Sequence, residues 1–106
     1  MLKVYNKLVR DRIPEMIEAS GSKCVTAVLS QEAYLQMLDK KLDEELEEYQ
    51  QSKAVEELAD LLEVIAAVAQ ARGCSWEQLT EIREKKRKER GGFDERIFLQ
   101  TVQDTL

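Results

Sequence analysis

The sequence contains no histidine, only two cysteines and a single proline. Without histidine, the chain lacks the usual general base near neutral pH and the commonest side-chain ligand for transition metals. Neither a Ser-His nor a Cys-His pair can form, which disfavours nucleophilic catalysis. Cys24 and Cys74 lie far apart and match no zinc or redox spacing. They fit a reduced intracellular compartment better than a disulfide framework.

Long apolar runs are also missing. The N-terminal segment MLKVYNKLVRDR has no apolar core of the signal-peptide kind, and no stretch approaches transmembrane length. A net charge of −5 and a pI near 4.9 argue against dedicated nucleic-acid binding, because that affinity comes from neutralised phosphates. We therefore expect a cytoplasmic protein that binds neither nucleic acid nor membrane.

The length of 106 residues and the hydrophobic content of 43% predict one compact domain, residues 1–106. A chain this short builds one core and little more. Self-association is therefore a plausible route to burying further apolar surface.

Glycine and proline are both absent between Ser22 and Arg72, so the helix boundaries in this segment have to be predicted from periodicity. Apolar residues form two helical stripes, displaced from each other by roughly half a turn. The first stripe comprises Tyr34, Leu35, Leu38, Leu42, Leu46 and Tyr49, and the second comprises Val55, Leu58, Leu61, Leu62, Ile65 and Val68. One straight helix could not bury both stripes. We predict a break near Gln51–Ser52, with Ser52 as N-cap, and an antiparallel hairpin.

Proline and glycine indicate the ends of the other elements. Pro14 lies in the opening turn of a short first helix, which ends at residues 20–22. Gly73 ends the second helix of the hairpin. Ser75 and Gln78 then form a capping-box pattern that begins a long helix running to Gly91-Gly92.

The predicted fold is all-α. It consists of the antiparallel helical hairpin plus a third long helix, and self-association makes it resemble a four-helix bundle. β-prone composition also predicts short strands near residues 24–29 and 96–100.

Two acidic motifs lie on the two helices of the predicted hairpin, Glu44-Glu45-Leu46-Glu47-Glu48 and Glu56-Glu57-Leu58-Ala59-Asp60. Each motif holds two carboxylates at i, i+3 spacing, which places both on one helix face. The pairs are Glu45 with Glu48 and Glu57 with Asp60. Antiparallel packing would bring these four groups together, an arrangement that a folded protein tolerates when a hard cation lies between them.

A solvated acidic helix face is the simplest alternative, and it is the usual outcome for an arbitrary run of glutamates. The helical wheel argues against it, because Glu45, Glu48 and Glu57 fall within the apolar arcs of their helices. Asp60 lies at the edge of its arc, beside small alanines. Because all of these ligands are carboxylates, Mg²⁺ is the preferred ion and Mn²⁺ the expected substitute.

One face of the last predicted helix begins apolar and continues as Arg83, Lys86 and Arg90. A cation-rich final turn suits the helix macrodipole, but this does not explain why an inward stripe becomes cationic. An anionic group such as a polyphosphate, bound through the metal, would explain it. Lys41 could contact either a site carboxylate or a phosphate. Lys7 and Arg10 add positive charge, although a simple surface location is at least as plausible for both.

The paired motif Glu-Glu-x-x-Glu and Glu-Glu-x-x-Asp on consecutive helices resembles the MazG-type, all-α nucleoside triphosphate pyrophosphohydrolases. The segments Asn6–Glu15 and Lys86–Phe93 are similar to a compact single-domain subgroup, and the resemblance spans about residues 5–99. It implies hydrolysis of a nucleoside triphosphate to the monophosphate and pyrophosphate, by a homodimer or homotetramer. The Mg²⁺ ligands that it implies are Glu45, Glu48, Glu57 and Asp60.

The expected mechanism has no covalent intermediate. Metal held by the carboxylates would bind phosphate oxygens and orient a water molecule, whose proton would pass to Glu44 or Glu56. The cations that would hold the phosphates are Lys41, Arg83, Lys86 and Arg90. The alternative function is a non-enzymatic interaction module, in which the acidic helix packs on the basic helix.

Overall fold

The computed structural model describes residues 1–104, which contain four helices and no strand. The helices are α1 (Ile13–Ala19), α2 (Gln31–Ser52), α3 (Val55–Ala71) and α4 (Trp76–Arg90). The prediction of a mainly helical fold is therefore confirmed. Residues 105 and 106 of the predicted domain lie outside the described range.

Helices α2 and α3 form the antiparallel hairpin. At its open end, the side-chain amide of Gln31 donates a hydrogen bond to the carbonyl of Ala71 at 3.3 Å. The guanidinium of Arg72 lies 3.3 Å from the carboxylate of Asp39, about two turns further along α2. These contacts join the first half of α2 to the end of α3, as an antiparallel arrangement requires.

The turn of the hairpin lies slightly later than predicted. Helix α2 continues through Ser52 and ends at Lys53, whose left-handed φ of 58° turns the chain out of the helix. Ala54, not Ser52, is the N-cap of α3. The hydroxyl of Ser52 accepts a hydrogen bond from the Ala54 amide at 3.1 Å, so it stabilises the turn itself.

The predicted start of the last helix is confirmed. Ser75 Oγ accepts a hydrogen bond from the amide of Gln78 at 3.1 Å, and Gln78 Oε1 accepts one from the amide of Ser75 at 2.9 Å. This reciprocal pair is a capping box. Gly73, with φ of +84°, provides the left-handed residue that lets the chain leave α3.

The strands predicted near residues 24–29 and 96–100 are not found within residues 1–104. A β-prone composition favours extended backbone, but a strand also needs a hydrogen-bonded neighbour. Neither segment lies in such a ladder in the described chain. In the second segment, Arg96 also has a left-handed φ of 57°, which interrupts the extended conformation.

Very little of the chain is fully buried. Leu38 of α2, 4% exposed, and Val64 of α3, 8% exposed, are the only buried apolar residues in the described range. The radius of gyration is 19.0 Å, against about 13 Å for a compact domain of about 100 residues. The hairpin interface is therefore the centre of the fold, and much apolar surface is left without cover.

Helix α3 shows where this uncovered surface lies. The face that includes buried Val64 and half-buried Leu61 packs towards α2. A second stripe of α3 is exposed, and it consists of Val55, Leu58, Leu62 and Ile65. The sequence analysis assigned Leu61 to the same helix face as these four residues, whereas in the structure Leu61 is half-buried and the four are exposed.

Within residues 1–104, no helix is both long enough and apolar enough to cross a membrane.

Candidate metal centre

The candidate site lies near the turn of the hairpin, where Glu45 of α2 faces Glu57 and Asp60 of α3. One carboxylate oxygen from each of these three residues lies within 4.8 Å of the other two. Two oxygens bound to one Mg²⁺ ion lie at most about 4.2 Å apart, because each is about 2.1 Å from the ion. The cluster is therefore close to the size that one hard cation requires.

Glu45 is the best buried member of the cluster, with 7% of its surface exposed. Its Oε1 atom lies 3.4 Å from Nζ of Lys41, one turn earlier on α2. Its Oε2 atom is buried and has no hydrogen-bond partner. Because buried polar atoms are nearly always satisfied, this oxygen is the observation that points most directly to ligand binding at the cluster.

The surroundings of Glu45 disfavour its charged form. Burial raises the pKa of this carboxyl above its ordinary value, and the adjacent carboxylate of Glu48 raises it further, whereas Lys41 opposes both effects. A divalent cation would reverse this balance, since it stabilises a carboxylate that is otherwise poorly solvated. The electrostatics and the unsatisfied oxygen thus indicate the same kind of ligand.

Glu48 lies less centrally than the sequence predicted, and Glu56 is not part of the cluster either. Glu48 is exposed and is not part of the group of three, although it is close enough to Glu45 to affect its pKa. Glu56 is also exposed and forms no ion pair within residues 1–104. It immediately precedes Glu57 on α3, so its side chain projects from a different face of the helix.

Glu44 is paired with two lysines. Its Oε1 atom lies 3.2 Å from Nζ of Lys41 and 3.5 Å from Nζ of Lys7. Lys41 therefore bridges Glu44 and Glu45, which is the first of the two contacts that the sequence left open for it. The lysine from the N-terminal segment reaches the same carboxylate from the other side.

The N-terminal segment contributes more to the site than the sequence suggested. Arg10 Nη2 lies 2.7 Å from Oδ1 of Asp60, across fifty residues of sequence. Together with the contact of Lys7 to Glu44, this ion pair places the segment before α1 against both acidic motifs. The sequence gives no periodic signal for an irregular segment, which is why a surface location appeared equally plausible.

A cavity of about 310 Å³ lies between the N-terminal segment and α2, and it adjoins the acidic cluster through Lys41, which contacts Glu45. Its polar lining consists of three lysines, two carboxylates and one amide: Lys7, Lys40, Lys41, Asp43, Glu44 and Asn6. Lys40 and Asn6 were not identified from the sequence. The adjacent lysines at positions 40 and 41, one turn before the first acidic motif, are the signal that could have indicated Lys40.

The basic residues of α4 are not brought to the acidic cluster within one chain. Arg83, Lys86 and Arg90 are exposed and form no ion pair or hydrogen bond in the described part of the chain. Helix α4 packs on α3 but not on α2. The reason is connectivity, because α4 follows the end of α3 that is farthest from Glu57 and Asp60.

The same finding bears on the alternative function. A module in which the acidic α2 packs on the basic α4 requires contact between these two helices, and residues 1–104 contain none. The acidic side chains instead pair with Lys7, Arg10 and Lys41.

Comparison with known proteins gives a partial sequence match. The chain is 57% identical over 42 residues to an uncharacterized protein of Mycolicibacterium smegmatis (strain ATCC 700084 / mc(2)155). The matched segment covers 40% of this chain and 43% of that protein. No protein-family model matches the chain, and no solved structure matches it. The resemblance to the MazG-type enzymes thus rests on the motifs alone.

Proposed function

We propose that this protein is a Mg²⁺-dependent nucleoside triphosphate pyrophosphohydrolase of the MazG type. The single observation that carries the proposal is the buried Oε2 atom of Glu45, which has no hydrogen-bond partner in a residue whose carboxylate clusters with those of Glu57 and Asp60. Carboxylates that are buried together require compensation by positive charge, and all-oxygen ligands favour Mg²⁺ or Mn²⁺. The paired acidic motifs, which resemble those of the MazG-type enzymes, are the reason for proposing pyrophosphohydrolysis as the reaction.

In this proposal Glu45, Glu57 and Asp60 hold the cation, and Glu48 is a fourth ligand that joins by rotation of its exposed side chain. Bound Mg²⁺ supplies charge neutralisation for the phosphate oxygens and lowers the pKa of a coordinated water. The hairpin contributes rigidity, since the three central ligands lie on two helices that pack directly on each other.

The lysine-lined cavity is the proposed site for the phosphates of the substrate. Lys7, Lys40 and Lys41 line this space together with Asp43 and Glu44, and Lys41 also contacts Glu45 of the acidic cluster. Phosphate oxygens in this space would take over the contacts that Glu44 now makes with two of the lysines. Charge developing on the leaving pyrophosphate would be stabilised by the same cations.

Of the two candidate bases, Glu44 has the better support. It lines the cavity and lies next to Glu45 in the sequence, whereas Glu56 is exposed and has no contact with the cavity. We assign Glu44 as the group that accepts the proton of the attacking water, with Glu56 as the alternative.

A homodimer or homotetramer follows from the exposed apolar stripe of α3. We assign a second copy of this chain as its partner, because Val55, Leu58, Leu62 and Ile65 continue the same helix that forms the hairpin core. Pairing of two hairpins along this stripe would give a four-helix-bundle-like assembly. Such an assembly also offers Arg83, Lys86 and Arg90 a route to the phosphates, from the neighbouring subunit.

The experiment that tests this function is incubation of the purified protein with a panel of ribo- and deoxynucleoside triphosphates and Mg²⁺, with pyrophosphate and orthophosphate scored separately. We expect stoichiometric monophosphate and pyrophosphate from at least one nucleotide, and no product in EDTA. Glu45→Gln, purified in parallel, is the control for contaminating hydrolases and should be inactive. Release of orthophosphate alone, or no turnover of any nucleotide, would contradict the proposal.

A further inference from the structure

Arg10 occupies one oxygen of a carboxylate that belongs to the candidate metal site. Its Nη2 atom donates a hydrogen bond to Oδ1 of Asp60 at 2.7 Å, and Asp60 is one of the three residues whose carboxylate oxygens cluster within 4.8 Å. The unsatisfied Oε2 of the neighbouring Glu45 indicates independently that this cluster accepts a cation. The guanidinium thus lies where it interferes with the binding of a second positive charge.

We propose that Arg10 is a displaceable occupant of the metal site, which pairs with Asp60 in the metal-free protein and moves to the substrate phosphates when Mg²⁺ binds. The movement of Arg10 to the substrate phosphates rests on the proposed function. The competition between Arg10 and the divalent cation for Asp60 concerns the metal site alone.

The exposure of the pair makes exchange feasible. Both side chains are about half exposed, 56% for Arg10 and 44% for Asp60. An ion pair so exposed to water contributes little net stability, whereas Mg²⁺ binds carboxylate oxygens directly and repels a nearby guanidinium. The cation therefore has the advantage over Arg10 at this carboxylate.

The backbone keeps Arg10 close to the site after release. Its carbonyl accepts a hydrogen bond from the amide of Ile13 at 3.0 Å, which attaches it to the first turn of α1. Lys7, three residues earlier, lines the lysine cavity. A freed guanidinium at position 10 is thus tethered near the lysine cavity, and guanidinium groups bind phosphate in a bidentate manner. A polyphosphate is the ligand class that fits both features.

The test compares three variants by titration calorimetry with Mn²⁺ and Mg²⁺ in the absence of nucleotide. Arg10→Gln removes the competing charge, and we expect it to tighten metal binding by about two- to fivefold, which is the range that loss of one exposed ion pair allows. Arg10→Lys keeps the charge and should bind metal as the wild type does. Arg12→Gln is the matched control, since Arg12 pairs with Glu15 outside the cluster.

The outcomes separate this inference from the proposed function. Unchanged or weaker metal binding by Arg10→Gln would overturn the inference, since it would show that Arg10 supports the ligand rather than competing with the metal. Metal binding by the wild type without turnover of any nucleotide would contradict the proposed function. The calorimetric comparison would still show whether Arg10 competes with the divalent cation for Asp60. With an active substrate, Arg10→Gln should also raise KM, and an unchanged KM would overturn the transfer to phosphate. Melting curves in EDTA establish that every variant is folded.

Discussion

The Nζ atom of Lys41 lies 3.4 Å from Oε1 of Glu45, one helical turn along α2, and leaves the other oxygen of this buried carboxylate without a partner. The same lysine is 3.2 Å from Glu44, so it is shared between two negative charges. One cation therefore compensates only part of the charge that the hairpin brings together. In the absence of added metal, we expect the repulsion that remains between these carboxylates to lower the free energy of unfolding.

Replacing Glu45 by Gln tests this account of the metal-free state. In EDTA we expect the variant to be as stable as the wild type or more stable, by about 1 kcal/mol, because a poorly solvated charge is removed. Millimolar Mg²⁺ should raise the melting temperature of the wild type by mass action and that of the variant much less. Glu63→Gln is the control, because Glu63 is exposed on α3 and forms no ion pair within residues 1–104.

A salt-bridged surface without a metal site predicts the opposite signs. Glu45→Gln would then lose its contact with Lys41 and be destabilised in EDTA, and Mg²⁺ would change neither melting temperature. That pair of results would contradict the metal site and, with it, the proposed reaction.

The raised pKa of Glu45 predicts how the stability of the metal-free protein depends on pH. Because burial raises the pKa in the folded state above the ordinary value of 4.5, the folded protein holds this proton more tightly than the unfolded chain. The stabilising contribution is fully present below the ordinary value and is lost as the pH rises through the folded-state pKa. The wild type should therefore lose stability relative to Glu45→Gln as the pH increases across this window.

Chemical denaturation in EDTA at a series of pH values measures this difference directly. The gap in the free energy of unfolding between Glu45→Gln and the wild type should widen with pH and then level off. Glu63→Gln is measured in parallel as the control. A gap between Glu45→Gln and the wild type that does not change with pH would contradict the raised pKa of Glu45.

The sequence predicted those features that depend on local periodicity and on the residues that cap helix ends. The capping box at Ser75, the helix end at Gly73 and the inward position of Glu45 are all set by residues within one or two turns, and all are present. The hairpin also follows from the change in phase between two apolar stripes. These features need no knowledge of distant contacts.

The misjudged features depend on tertiary contacts or on backbone geometry. Helix α2 ends at Lys53, which adopts a left-handed φ. Glycine usually occupies such a position, so a lysine there does not mark the helix end in the sequence. Arg10 meets Asp60 across fifty residues, and no short-range pattern encodes that pair. The position of α4 relative to α2 likewise depends on how the chain leaves α3, which helical periodicity does not specify.

The exposed stripe of α3 predicts self-association that a single substitution weakens. Leu62 is 49% exposed at the centre of this stripe, so Leu62→Ser should change the stability of an isolated chain by only a few tenths of a kcal/mol. In a symmetric dimer the leucine is lost twice, and the dissociation constant should rise by about tenfold or more. Sedimentation velocity over a concentration series measures this change.

Val25→Ser is the matched control for the stripe, because Val25 is fully exposed and lies outside the helices. It should leave the dissociation constant unchanged. A wild type that is monomeric at micromolar concentration would remove both the dimer and the four-helix-bundle-like assembly from the proposal.

The basic face of α4 predicts loss of turnover without loss of stability. Arg90 and Lys88 both lie in the last turn, where either cation interacts favourably with the helix macrodipole, by about 0.3–1 kcal/mol. The two alanine variants should therefore melt alike. Only Arg90 lies on the predicted phosphate-binding face, so Arg90→Ala should lower kcat/KM by about tenfold or more, and Lys88→Ala should not.

Mixing the inactive Glu45→Gln variant with the impaired Arg90→Ala variant determines which chain supplies Arg90. The described chain gives α4 no contact with α2, so a phosphate contact from Arg90 would come from the neighbouring subunit. In heterodimers of Glu45→Gln and Arg90→Ala, one of the two sites then combines an intact metal cluster with an intact α4. After denaturation and refolding as an equal mixture, about a quarter of wild-type activity should return, because half of the dimers are mixed and each has one intact site. Activity no greater than the average of the two separate variants would show that Arg90 acts within its own chain or only on the fold.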